Sequence, residues 1–358
     1  MLHKARALCP PGYDIVELRA RGNRHWLIPI GSPGVRWNSL TLYAPIRLTG
    51  WAYRALAQAW LVLGKGRFMR QLTHDPTSAW LLGDLLLPDM PTLSTAAVYV
   101  GHPGPTQKIV FQLMNNQGNI LGYAKYADKP HTRSVLANEA RLLKAIPENV
   151  GPHLIRFTPF LDGELLVQTR VPGRVRVPRS QQLYEGHMRF LERLVEPGAV
   201  YPASEHPFVR SLYAQSGERK SMLERTVAHL KDSEWPTAYM HGDLSPWNMR
   251  WWHGDYSALD WEHGRLTGLG YIEAPHPLIQ FAGLAQKTDP RRAKRVISDL
   301  LRTRLLPERY KNWAPEIASL SALNMLISWY PPSRLEAYGP DPYESWLTTF
   351  VKAPGDRR

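Results

Sequence analysis

An aspartate, an asparagine and a second aspartate define the chemistry open to this chain. They stand in His241-Gly242-Asp243-Leu244-Ser245-Pro246-Trp247-Asn248 and Leu259-Asp260-Trp261-Glu262, five positions from Asp243 to Asn248 and seventeen from Asp243 to Asp260. This set suits phosphoryl transfer from a nucleotide. One carboxylate takes the proton of an attacking hydroxyl, while an amide oxygen and a second carboxylate hold magnesium ions on the phosphates. Asp243 is the expected catalytic base, orienting a hydroxyl and accepting its proton as the phosphoryl group moves. His241 is expected to brace that loop by hydrogen bonding. Asn248 and Asp260 are the expected Mg²⁺ ligands, because magnesium takes hard oxygen donors. Glu262 would support the metal through water or hold Trp261 in place.

The elements that position these residues change in texture along the chain. Residues 1–45 are rich in Pro, Gly, Arg and Trp, with short β-prone runs at Trp26–Ile30 and Leu40–Tyr43. A helix is expected over Arg47–Leu63, with Trp51, Ala55, Ala59 and Val62 on one face. Ala52, Leu56 and Leu63 widen that face, and Gly64-Lys65-Gly66 ends the helix. From Ala96 short strands follow one another: Ala96–Val100, Gln107–Met114, Ile120–Tyr126, His153–Pro159 and Glu164–Thr169. A helix over Arg133–Ile146, with Leu136, Ala140 and Leu143 along one side, interrupts them. Beyond Val171-Pro172-Gly173 the pattern reads as helical almost to the end, with the HGD segment lying between helices.

Two-part patterns of the form H-G-D-x-x-x-x-N…D-W-E resemble the aminoglycoside phosphotransferase and choline kinase family, small-molecule relatives of protein kinases. The resemblance covers residues 94–285 and is strongest over 239–263. It implies an α+β, two-lobed protein kinase-like fold: a small antiparallel-sheet N-lobe with one helix over 91–172, then a helical C-lobe over 173–358. Residues 1–90 would be an N-terminal extension. The resemblance assigns Lys125, in Gly122-Tyr123-Ala124-Lys125-Tyr126, to the α- and β-phosphates of ATP, and Glu139 to holding that lysine. The turn Gly101-His102-Pro103-Gly104-Pro105 is a candidate cover for the triphosphate, since Gly101 and Gly104 let backbone N–H groups approach phosphate oxygens. Its two prolines make it poor in donors, and it lacks a Walker pattern. The hinge Gln168–Gly173 does not separate ATP from GTP. Beyond D-W-E the family often carries a further Asp, where this chain has Glu273.

Composition narrows the classes. With 44% apolar and 21% charged residues the chain is an ordinary globular protein. One cysteine, Cys9, excludes an internal disulfide and a cysteine-rich metal site, which suits a reducing cytosol. The first residues carry charges but no apolar core before Pro10-Pro11, so no secretory signal is expected and the expected location is cytoplasmic. His253, His263 and His276 are scattered and lack metal-site spacing, so they read as surface or packing histidines.

The net charge is +13, and residues 1–90 hold 11 basic against 5 acidic side chains. That front end suggests contact with an anionic membrane surface through residues 46–70, where Trp51 and Trp60 stand among Arg47, Arg54, Lys65, Arg67 and Arg70. No nucleic-acid-binding module is recognisable, so a basic nucleic-acid binder is the weaker alternative. A pseudokinase scaffold would lack one of Lys125, Asp243, Asn248 or Asp260, and all four are present. The expected acceptor is the hydroxyl of a small molecule. The mildly basic second half favours a neutral or anionic sugar, such as a glycan precursor, over a polycationic aminoglycoside. Glu316, Glu336, Asp341 and Glu344 are the residues that would form an acidic wall for the latter.

Overall fold

The computed structural model describes residues 1–358 except 12–14, 21–23, 43–47, 64–70, 73–79, 102, 105, 231–232, 331–340 and 355–358. It divides into two units, Met1–Lys144 with Pro152–Arg170, and Ala145–Gly151 with Val171–Arg358. Gly64-Lys65-Gly66, Arg47, Arg67, Arg70 and Glu336, all named above, lie outside the described residues, as does the side chain of Trp51.

The first unit runs α1 (Leu2–Ala7), β1 (Ile15–Ala20), β2 (Arg24–Pro29), α2 (Pro33–Asn38), α3 (Leu48–Val62), β3 (Gln71–Leu72), α4 (Leu81–Leu86), β4 (Thr95–Val100), β5 (Ile109–Met114), β6 (Ile120–Ala127), α5 (Pro130–Ala145), β7 (Leu154–Phe160) and β8 (Gly163–Thr169). The strands form one antiparallel sheet in the order β3-β1-β2-β4-β5-β6-β8-β7. Strands β4 to β8 lie where alternation places them. The expected boundary at residue 90 does not separate two units, because β2 pairs directly with β4 at His25↔Val100, Trp26↔Tyr99 and Leu27↔Val98. The cause is a shared core. Ala5, Leu8, Cys9, Ile15 and Leu27 pack in one cluster with Val98, Val100, Phe111 and Leu165.

Strand alternation sets the site residue of this unit. Ala124 and Tyr126 belong to that core cluster, so Lys125 between them projects from the other face of β6. Helix α5 buries Leu136, Glu139, Ala140 and Leu143, a stripe at helical spacing in which one member is charged. Helix α3 is turned so that Gln58 and Leu61 are buried, with the Gln58 amide donating to the Trp37 carbonyl at 2.8 Å. The apolar face read from the sequence looks outward: Ala55 and Ala59 are exposed, and Leu56 is 72% exposed.

The second unit runs α6 (Gln181–Leu194), β9 (Val195–Pro202), α7 (Pro207–Gln215), α8 (Lys220–Ala228), β10 (Glu234–Met240), β11 (Met249–Trp252), β12 (Asp255–Ala258), β13 (Arg265–Leu269), α9 (His276–Gln280), α10 (Pro290–Leu300), α11 (Ala314–Trp329) and α12 (Pro342–Lys352). Helix α11 is buried along nearly its whole length, which explains its lack of an apolar stripe. The expectation of an almost wholly helical unit is corrected by a three-stranded sheet, β13-β10-β9, and by the hairpin β11–β12. The HGD segment leaves the end of β10 and does not lie between helices. Residues Trp235 to Ala238 of β10 are all buried, so the strand shows no period-two alternation to read. Taken separately, the two units are an antiparallel sheet with helices α1 to α5 and a helix-rich body, consistent with the expected α+β, kinase-like class.

Candidate active site

A hairpin explains the spacing between Asn248 and Asp260. Strands β11 and β12 pair from Met249↔Ala258 to Trp252↔Asp255, and His253 and Gly254 turn the chain with φ of 46° and 89°. Positive φ at both central residues is the tight hairpin turn that matches strand twist. At the open end the Leu259 N–H donates to the Asn248 carbonyl at 2.8 Å. Asn248 and Asp260 therefore leave the same end of one hairpin. Asp260 itself sits in the left-handed region at φ 65°, ψ 60°, a conformation that Asp tolerates better than most residues.

Asp243 is held from two sides. The Asn248 Nδ2 donates to its Oδ2 at 3.1 Å and to its main-chain oxygen at 3.0 Å, and the Gln280 Nε2 donates to its Oδ1 at 2.8 Å. Its side chain is 25% exposed, enough to meet an incoming hydroxyl. Because the Asn248 amide turns its nitrogen to Asp243, its oxygen is left for a cation. That oxygen and the Asp260 carboxylate are the donor chemistry Mg²⁺ prefers, so these residues fit the metal.

Three further groups hold the loop. His241 is buried, and its Nε2 donates to the Leu259 carbonyl at 2.7 Å while its Nδ1 accepts the Asp243 N–H at 3.2 Å. One imidazole thus ties the Asp243 loop to the residue before Asp260. Burial pulls its pKa down to about 4, so it acts as a neutral brace at pH 7. Gly242 has φ 82°, and a Cβ there would meet the His263 carbonyl oxygen at 2.1 Å. Only glycine fits. The buried Glu273 accepts the N–H groups of His241 at 2.7 Å and Gly242 at 2.8 Å, one on each carboxylate oxygen. Burial pushes its pKa up, against His276 and those two donors. Replacing Glu273 with Gln leaves one of the two N–H groups facing an NH₂. This is expected to lower unfolding stability by about 1–3 kcal/mol, the cost of one unmet buried donor, read from urea midpoints.

In the first unit Lys125 and Glu139 are brought together, the Nζ at 2.7 Å and 2.8 Å from the two carboxylate oxygens, with both residues buried. Gly101 closes a hairpin: its N–H donates to the Lys108 carbonyl at 3.2 Å and its carbonyl accepts from Gln107 at 2.9 Å. The Gly104 carbonyl accepts from Lys129 at 2.6 Å. The N–H of Gly101 is therefore already used, and the Gly104 carbonyl is held by a side chain 25 positions on. Glu262 lies 3.5 Å from the His263 Nε2.

Two residues meet Asp243 here with no sequence signal for that contact. Gln280 carried no signal of its own, since a helical glutamine is commonplace. His276 was read as a packing histidine, and it does lie against Trp329 at a ring distance of 5.5 Å. It also comes within 3.8 Å of the Asp243 carboxylate.

No family model and no curated protein matches the chain. Solved structures do. The aminoglycoside phosphotransferase APH(4)-Ia is 10% identical, with a TM-score of 0.47, over 77% of this chain and 99% of its own. A fructosamine-3-kinase from Haemophilus somnus is 13% identical, with a TM-score of 0.45, over 75% of this chain and 95% of its own. Another aminoglycoside phosphotransferase, APH(3'')-Id from Streptomyces rimosus, is 17% identical with a TM-score of 0.37, over 67% and 97%. Side-chain geometry, not these likenesses, carries the functional assignment.

Proposed function

We propose that the protein is an ATP- and Mg²⁺-dependent phosphotransferase acting on a hydroxyl of a small molecule, with a neutral or anionic sugar as the preferred acceptor class. The observation that carries this reading is the second unit's loop pair: Asp243 held by amides and partly open to solvent, with Asn248 and Asp260 at the mouth of one hairpin. The acceptor oxygen bonds to the γ-phosphorus as the β–γ bridging P–O bond breaks, and that electron pair leaves on the nucleoside diphosphate. The hydroxyl proton passes to a carboxylate oxygen of Asp243. Mg²⁺ supplies charge neutralisation on the phosphates when bound. Lys125, fixed by Glu139, is assigned to the α- and β-phosphates.

Of the acidic residues considered for a polycationic acceptor, Asp341 and Glu344 are engaged elsewhere and Glu316 is nearly buried. Asp341 accepts from the Tyr343 N–H at 2.8 Å and from the Tyr330 hydroxyl at 3.0 Å, and Glu344 pairs with Arg219 at 2.5 Å. Glu316 is 9% exposed. This supports a sugar over an aminoglycoside. Purified protein with γ-labelled ATP and Mg²⁺, offered neutral sugars, sugar phosphates and aminoglycosides in parallel, is expected to label the sugars. Label on none of them, or on aminoglycosides alone, rejects the respective part.

A second observation bears on where the protein works. Tyr53, Leu56 and Leu63, on and just after α3, are 58%, 72% and 72% exposed, and residues 46–72 carry five basic and no acidic side chains. No helix among the described residues is long and apolar enough to cross a membrane. The pattern supports peripheral contact with an anionic bilayer. Flotation with vesicles containing phosphatidylglycerol is expected to carry the protein upward, and a Leu56→Glu, Leu63→Glu variant to stay behind. Equal flotation of the two proteins, or equal binding to neutral vesicles, counts against it.

A further inference from the structure

The side-chain nitrogen of Gln280 touches two groups at once, Asp243 Oδ1 at 2.8 Å and His276 Nε2 at 2.9 Å. An ionised carboxylate only accepts, so the atom facing it must be the NH₂ of the amide; an oxygen there would oppose two acceptors. One hydrogen goes to Asp243 and the other to His276. The imidazole therefore accepts at Nε2 and keeps its own hydrogen on Nδ1. His276 and Gln280 are four positions apart on α9 and share a face, so the contact is built into the helix.

This arrangement is not obtained freely. His276 is 0% exposed, and its Nδ1 has no hydrogen-bond partner among the described residues. A buried N–H without an acceptor is destabilising, and a native structure that keeps one needs a reason. The reason on the other side of the ring is Gln280. Both oxygens of Asp243 are engaged by amides, one from Asn248 and one from Gln280, so the carboxylate plane is fixed.

We propose that Gln280 is a positioning residue for Asp243, and that His276, packed on Trp329, acts by fixing Gln280. This rests on the phosphotransferase reading. Asn248 restrains one oxygen but also serves the metal, whereas Gln280 restrains the other from α9, which does not depend on metal binding. A carboxylate free to rotate would present its accepting lone pair to the hydroxyl only part of the time, and small misplacements of reacting groups are expensive.

The test compares wild type, Gln280→Met, His276→Phe and the double variant. It reads phosphate release from Mg·ATP with water as acceptor, KM for Mg·ATP, and the thermal midpoint. Methionine keeps the volume without the donor, and phenylalanine keeps the ring on Trp329 without the acceptor. Gln280→Met is expected to lower kcat by about 10²-fold with KM changed by less than about twofold. His276→Phe is expected to lower it by about tenfold, and the double variant to match Gln280→Met alone, because the histidine acts only through the amide. No transfer of label from γ-labelled Mg·ATP by wild type, to water or to any of the sugars offered above, rejects the phosphotransferase reading and this inference with it. Wild-type release with Gln280→Met within twofold, a loss confined to KM, or losses that multiply in the double variant overturn this inference alone.

Discussion

Asp243→Asn is expected to lower kcat for phosphoryl transfer by about 10²–10⁴-fold, the usual worth of a positioned acid or base, while nucleotide affinity stays within about twofold. The substitution keeps the shape of the side chain and removes its ability to take a proton. It also has a structural side effect that can be stated in advance. Gln280 and Asn248 both donate to Asp243, one to each oxygen. An Asn there offers one oxygen and one NH₂, so one pair of donors must face each other. A loss of about 1 kcal/mol of stability should accompany the kinetic loss. Single-turnover transfer from γ-labelled ATP, with equilibrium binding of the nucleotide measured alongside, separates the two effects. Turnover within tenfold of wild type would remove Asp243 from the role of base.

Acid is expected to unfold the protein well above the carboxylate range. His187, His206 and His241 are all 0% exposed, and burial is the largest cause pulling each down to about 4. Unfolded, each titrates near the ordinary histidine value of about 6.5. Between those values the unfolded chain binds protons that the native chain refuses, so stability falls as pH drops through the window. The contribution is fully present above about 6.5 and is lost progressively on the way to about 4. Summed over three sites, the loss between pH 7 and pH 5 is about 5 kcal/mol. Glu273 works in the opposite sense: its raised pKa favours the native state at low pH and withdraws that support as pH rises through the raised value. A urea midpoint that stays level from pH 7 to pH 5 would contradict the histidine account. Because His241 bridges the loop of Asp243 to Leu259, its protonation would loosen the site together with the fold.

The sequence disclosed the chemistry better than its support. Asp243, Asn248 and Asp260 stand out by type and spacing, because the proposed metal-assisted phosphoryl transfer would need those donors whatever surrounds them. Lys125 and Glu139 were paired by the resemblance alone, on a predicted strand and the helix after it; neither position announces the pair by itself. The hairpin between Asn248 and Asp260 was not legible. Its strands are four residues long and its turn is His253-Gly254, a weaker signal than Asn-Gly. Glu273 stood out only as an oddity, since its partners are two backbone N–H groups fixed by tertiary contact. Gln280 and His276 lie beyond local pattern altogether. Nothing in a five-residue helix tells which of its polar side chains will meet a loop 37 positions earlier.

The placement of β2 between β1 and β4 governs how this protein is made and how far it can be shortened. Leu27 emerges from the ribosome 71 residues before its neighbour Val98, so the first hairpin waits with one edge unsatisfied. A recombinant fragment starting at residue 91 would leave β4 as a bare margin and remove Ala5, Leu8, Cys9, Ile15 and Leu27 from the interior. Such a fragment should aggregate instead of yielding a minimal enzyme.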